Sequence, residues 1–177
     1  MDNEQKIFLQ AFTELETLFE ALPIDEAQRQ PLKSILSGIL KSAKNLALYD
    51  PITHALNARA AKWLIPVEHT GMAKVDIYDL RQANKVYGAA AVDLELHKLA
   101  FQFMYIFTAD KGDFVRRSPG SDEFRITSTS KTPQEIKRLL SKLYADQEQD
   151  SLLTWDFGAG MTETEAEHEL QKQRRAF

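Results

Sequence analysis

Apolar positions recur every three to four places along the first 48 residues. Phe8, Phe12, Leu15, Phe19 and Leu22 make one helical stripe, and Leu32, Ile35, Leu36, Ile39, Ala43 and Leu46 make a second. Leu22-Pro23-Ile24-Asp25 interrupts the period, because a proline inside a helix removes a hydrogen bond. The pattern predicts a helical hairpin over residues 1–48. Two uses of that hairpin stay open. Its stripes could pack on the rest of the chain, or serve dimerisation or partner binding, since the second stripe is close to heptad-spaced.

From Tyr49 the pattern turns to mixed α and β. Thr53 is placed to cap a helix over Ala55 to Leu64. Met72 to Ile77 follows Gly71 as a short buried strand. A long helix is predicted from Ala89 to Thr108, with Val92, Leu96, Leu99, Phe103 and Phe107 inward. Phe114 to Arg117 and Glu123 to Thr127 read as two strands of a hairpin, turned by Ser118-Pro119-Gly120-Ser121-Asp122. Thr132-Pro133-Gln134-Glu135 is a capping box opening a helix to about Gln147. A strand over Leu152 to Phe157 and a charged helix over Glu163 to Arg175 close the chain. This order predicts an α+β domain over residues 49–177, with a ferredoxin-like, antiparallel-centred sheet flanked by helices.

Composition narrows the chemistry. The chain has 22 Lys and Arg against 26 Asp and Glu, a net charge of -4, which argues against a nucleic-acid clamp built on clustered cations. It has no cysteine, which excludes disulfides, thiol catalysis and Cys-ligated zinc. The longest apolar stretch, around Ala100 to Ala109, is broken by Gln102 and too short to span a bilayer. No basic segment followed by an apolar run opens the chain, so the expectation is a cytoplasmic protein. His54, His69, His97 and His168 lack metal-ligand spacing, and Ser118 and Ser121 lack a nucleophile's context. Carboxylates remain. Asp76 ends the first strand, while Asp122 and Glu123 lie at the hairpin turn. Acidic groups at the ends of two apolar strands suit a Mg²⁺ site. The plain alternative is a solvated acidic turn.

Four separated motifs resemble the GGDEF family of diguanylate cyclases. Asp50-Pro51-Ile52-Thr53-His54-Ala55-Leu56-Asn57-Ala58-Arg59 is similar to the family's opening DPLTGLxNR. Asp76-Ile77-Tyr78-Asp79-Leu80-Arg81-Gln82-Ala83-Asn84-Lys85-Val86-Tyr87-Gly88, continuing to Asp93, resembles DIDxFKxxNDxxGHxxGD. Gly120-Ser121-Asp122-Glu123-Phe124 stands where GG(D/E)EF would be, with Arg117 at the family's preceding arginine. Asp156-Phe157-Gly158-Ala159-Gly160 is similar to the SIGVA strand.

The resemblance implies a GGDEF or palm-like fold and a site with assigned roles. Asp76, the carbonyl of Ile77 and Asp122 would hold Mg²⁺ (or Mn²⁺), and Asp122 and Glu123 would be the catalytic pair. Asn84 and Asp93 would read the guanine edge of GTP, with Leu80 and Arg81 near the triphosphate. It implies condensation of two GTP into cyclic di-GMP by a homodimer, or a partner bound through the N-terminal helices. The chain departs from the family in residues and in length: Tyr78 replaces the second Asp of DxD, Ala89 a histidine, and Ser121 the second Gly of the signature, and the segment between Phe124 and Asp156 is short for the family, which implies that a usual extra hairpin is missing. Asp110-Lys111-Gly112-Asp113 lacks the arginine of the RxxD motif, and Ala166, Leu170 and Arg174 only partly follow the closing helix. These departures define the alternative of a catalytically inactive GGDEF domain acting as a nucleotide-binding or protein-interaction regulator.

Overall fold

Period-two burial marks a central strand of the sheet of this protein, described from a computed structural model over residues 3–118, 120–147 and 151–175. In β1 (Gly71–Ile77), residues 71, 73, 75 and 77 are buried and the intervening ones half-buried. β2 (Asp113–Arg117) and β3 (Glu123–Ser128) form the predicted hairpin, and β4 (Trp155–Gly160) completes an antiparallel sheet in the order β2-β3-β1-β4. With its intervening helices this is the ferredoxin-like arrangement expected from the sequence.

One face of the sheet is the core. Val75, Ile77, Phe124, Ile126, Val115, Trp155 and Phe157 share it with Val92, Leu96 and Phe103 of α5 (Ala89–Ile106) and with Ile136 and Leu140 of α6 (Pro133–Ala145). Phe103 stands edge-on to both Phe124 and Trp155, tying α5 to neighbouring parts of the sheet. The capping box that opens α6 is present, with Glu135 Oε2 accepting from Thr132 N at 2.8 Å. The other face carries α7 (Glu163–Arg175), which packs on β4 and β1. The approach is close: a Cβ built on Gly158 would lie 2.1 Å from the Ala166 carbonyl oxygen, so only glycine fits there.

Two elements start three residues later than expected, and α5, α6 and β4 end two or three residues from the expected positions. α3 (Ala58–Leu64) starts three residues later than predicted, because Asn57 and not Thr53 caps it, accepting from Ala60 N at 2.9 Å. Thr53 is instead buried, its hydroxyl donating to Asp50 Oδ2 at 2.7 Å. The last strand begins at Trp155 rather than Leu152, since its register is set by pairing Ile77 with Trp155. A short helix, α4 (Leu80–Tyr87), follows β1.

The chain divides into two units, Met1–Leu48 and Tyr49–Phe177. The first consists of α1 (Asn3–Glu20) and α2 (Glu26–Leu48). Arg29 on α2 closes it by donating to the carbonyls of Phe19, Glu20 and Leu22 at 3.2, 2.9 and 2.9 Å, satisfying acceptors left free at the end of α1. Phe8, Phe12, Phe19, Leu36 and Leu40 are half-buried. Leu15, Leu22, Leu32, Ile35, Ile39 and Leu46 of the two stripes are exposed. Among the described residues no helix is long and apolar enough to cross a membrane.

Candidate functional site

The pleat of the sheet decides which carboxylates meet. Asp76 lies opposite Glu123 on β3 and opposite Asp156 on β4, so three acids from three adjacent strands fall in one row on the α7 face. Asp122 immediately precedes β3, and its carbonyl accepts from Ile77 N at 2.8 Å, which fixes the turn against the end of β1. Among the described residues Asp76, Asp122 and Glu123 are the one acidic or histidine group able to share a cation, each offering an oxygen within 4.8 Å of the others. A cleft of about 670 Å³ opens here, lined by Asp76, Ile77, Tyr78, Asp79, Asp122, Tyr144, Asp156 and Arg174.

The signature turn is held from below. Arg117 is 2% exposed and its partner Asp50 is fully buried. Arg117 Nη1 donates to Asp50 Oδ2 at 3.0 Å, and Nη2 donates to the Ser121 carbonyl at 2.5 Å. Asp50 also accepts from the backbone N of Thr53 at 2.9 Å. The Ser121 hydroxyl accepts from Glu123 N at 3.0 Å, so the serine in place of glycine acts as a local brace for the turn.

Cations flank the acids. The row next to Glu123-Asp76-Asp156 along the strands is Arg116, Arg125 and Lys74, paired across β2, β3 and β1. Lys74 bridges Glu123 and Glu167, both at 2.6 Å, and Arg125 contacts Glu123 at 3.7 Å. From the last turn of α7, Arg174 forms an ion pair with Asp76 and sits 3.5 Å from Asp156 Oδ2. Burial pushes the Asp76 carboxyl above its ordinary range, and the nearby charges of Asp122 and Glu123 add to this while Arg174 opposes it. A carboxylate raised in this way gains from any added positive charge.

The donor set suits a hard divalent cation: carboxylate oxygens gathered from two strands, beside an open cleft with space for water and phosphate. Of the residues expected from the sequence, the fold brings together Asp76, Ile77, Asp122 and Glu123. The other four lie on the two helices after β1. Leu80 opens α4 and is half-buried, Arg81 is exposed, and Asn84 donates to the Leu80 carbonyl at 2.9 Å. Asp93 is half-buried near the start of α5. None of these four lines the cleft around Asp76. Lys74, Arg125 and Asp156 had no assigned role in the sequence. Their signal was the alternation of β1, β3 and β4, which becomes readable only once the strand register is known.

No family model matches the sequence, and no curated protein matches it. Solved structures do share its fold. A sensory box/GGDEF family protein from Caulobacter crescentus CB15 is 18% identical over 74% of this chain and all of its own, with a TM-score of 0.58. A microbial GGDEF domain studied with cyclic di-GMP is 24% identical over 76% of this chain and 89% of its own, at 0.57. The diguanylate cyclase SiaD from Pseudomonas aeruginosa, in complex with its activator SiaC, is 17% identical over 98% of this chain and 75% of its own, at 0.60. The fold is that of a GGDEF domain, as the four motifs predict.

Proposed function

Taking the GGDEF fold as premise, we propose that this chain is a diguanylate-cyclase-like domain. It binds GTP with Mg²⁺ or Mn²⁺ and, as a dimer, condenses two GTP into cyclic di-GMP. The observation that carries the reading is the convergence of Asp76, Asp122 and Glu123 within 4.8 Å, with Asp76 and Asp122 lining the cleft. Asp76, Asp122 and Glu123 would hold a divalent cation, which would supply Lewis acidity toward a ribose 3′-hydroxyl and positive charge beside the α-phosphate.

The chain's own groups position and balance. Asp76 and Asp122, with the Ile77 carbonyl, supply the oxygens that hold the cation. Glu123 serves as ligand or proton acceptor beside them, kept in place by Lys74 at 2.6 Å. The Arg117–Ser121 hydrogen bond keeps the turn fixed while the ligands change, so little reorganisation accompanies binding. Asn84 and Asp93 would face the guanine edge, and Leu80 and Arg81 the triphosphate, beyond the acidic end of the cleft. Two nucleotides must meet for condensation. The exposed apolar residues of the N-terminal hairpin, including Ile35 and Ile39, give two copies, or a partner protein, a surface to join. SiaD, which shares the fold along nearly the whole chain, was solved with an activator bound.

One observation favours the second reading, a non-catalytic GGDEF domain that binds nucleotide or protein as a regulator. Two of the acids already have internal cationic partners, Arg174 on Asp76 and Lys74 on Glu123. The deciding experiment incubates the protein with GTP and Mg²⁺ or Mn²⁺ and follows cyclic di-GMP by mass spectrometry. The expected outcome is product from the wild-type chain and none from Asp122→Ala. No product at high protein concentration would leave the regulator reading standing.

A further inference from the structure

α7 is charge-matched to the face of the sheet it covers. Glu163, Glu167 and Arg174 stand four and seven residues apart, which places them along one side of a helix. Glu163 pairs with Arg125 and lies 4.0 Å from Arg116. Glu167 pairs with Lys74 at 2.6 Å. Arg174 pairs with Asp76 and approaches Asp156. Glu163 and Glu167 therefore lie over the basic row and Arg174 over the acidic row. The consequence is specific to the last contact, because Asp76 is also a member of the cation-holding group.

We propose that Arg174 is a tethered counter-cation of the carboxylate centre, and that a divalent cation binds there only by displacing it. This rests on the cation site put forward above. The geometry supports the competition on three counts. The guanidinium is hydrogen-bonded to Asp76 Oδ1, it lines the same cleft as Asp122, and its Nε is 3.5 Å from Asp156. Its Nε has no hydrogen-bond partner, so the guanidinium is held by charge rather than by a full set of donors and is the more readily exchanged. A cation of higher charge among the same acids repels the guanidinium at close range. The two occupants are thus linked with opposite sign, and linkage makes the effect reciprocal: what weakens Arg174 tightens the cation, and the cation loosens the end of α7. Arg174 in this role sets the affinity of the centre and converts occupancy into release of the C-terminal turn of α7. Upstream, that helix stays anchored by Lys74–Glu167 and by the close seat on Gly158.

The test uses the full chain and Mn²⁺ as probe, with free Mn²⁺ read by electron paramagnetic resonance. Arg174→Gln is expected to bind Mn²⁺ about tenfold tighter than wild type, within the usual range for coupled sites. Arg174→Lys, which retains the charge, is expected to stay nearer wild type, and Asp122→Asn to lose the site. A second readout needs no variant: Mn²⁺ is expected to speed amide exchange at residues 171–174 of the wild-type chain and to leave residues 163–167 unchanged. Equal Mn²⁺ affinity in wild type and Arg174→Gln, or unchanged exchange at the end of α7 with Mn²⁺ bound, overturns the competition and leaves the cation site intact. Absence of saturable Mn²⁺ binding in both chains removes the competition and the cation site together.

Discussion

Arg117 shows how one buried side chain places a functional turn at a distance. Its guanidinium is 2% exposed and divides its donors between Asp50 and the Ser121 carbonyl. Removing it strands the Asp50 carboxylate in the interior, with only Thr53 to bond it. Arg117→Met is therefore expected to lower unfolding free energy by about 3–5 kcal/mol, the usual cost of breaking a buried ion pair. Denaturant unfolding of the two proteins measures it; a loss under about 1 kcal/mol would show that Asp50 finds other partners or water. Asp50, Arg117, Asp122 and Glu123 were all legible as motif residues. What the sequence left unread is that Asp50 and Arg117, 67 positions apart, act as a unit under the turn.

At the scale of elements, α7 is held by charge as well as by packing. Hydrogen bonds from Lys74 and then Gln171 keep the Glu167 carboxyl below its ordinary value of 4.5. A carboxyl lowered in the folded state contributes stability above the unfolded value and loses it as pH falls through the folded one. The expected outcome is faster amide exchange along α7 as pH drops below about 4.5, after correction for intrinsic rates. Lys74→Met should show the loosened helix at neutral pH; unchanged exchange in that variant would mean the seat on Gly158 suffices alone. Local patterns located most elements, since a capping box at Thr132 or a Pro-Gly turn needs no distant partner. The two late starts have a tertiary cause. Thr53 carries a capper's side chain but spends it on Asp50, and the start of β4 is chosen by pairing with β1 rather than by its own apolar run.

Across the whole molecule, the N-terminal hairpin is the part with the least to bury. Ile35, Ile39 and Leu46, all on the second apolar stripe, are 59, 59 and 77% exposed. Amphipathic spacing identified the helices without identifying what covers them. Association through this surface would bring two of the proposed nucleotide sites together. Ile35→Glu with Ile39→Glu is expected to reduce the mass measured by light scattering from that of a dimer to that of one chain, without altering helix content. A dimer that survives both substitutions would place the interface elsewhere.

Calorimetric titration of GTP with and without Mg²⁺ probes a nucleotide site organised by a cation on Asp76, Asp122 and Glu123. The expected result is saturable binding in the presence of Mg²⁺, at least about tenfold weaker binding without it, and loss of the Mg²⁺-dependent gain in Asp122→Asn. GTP binding that ignores both Mg²⁺ and Asp122, or no binding at all, would contradict it.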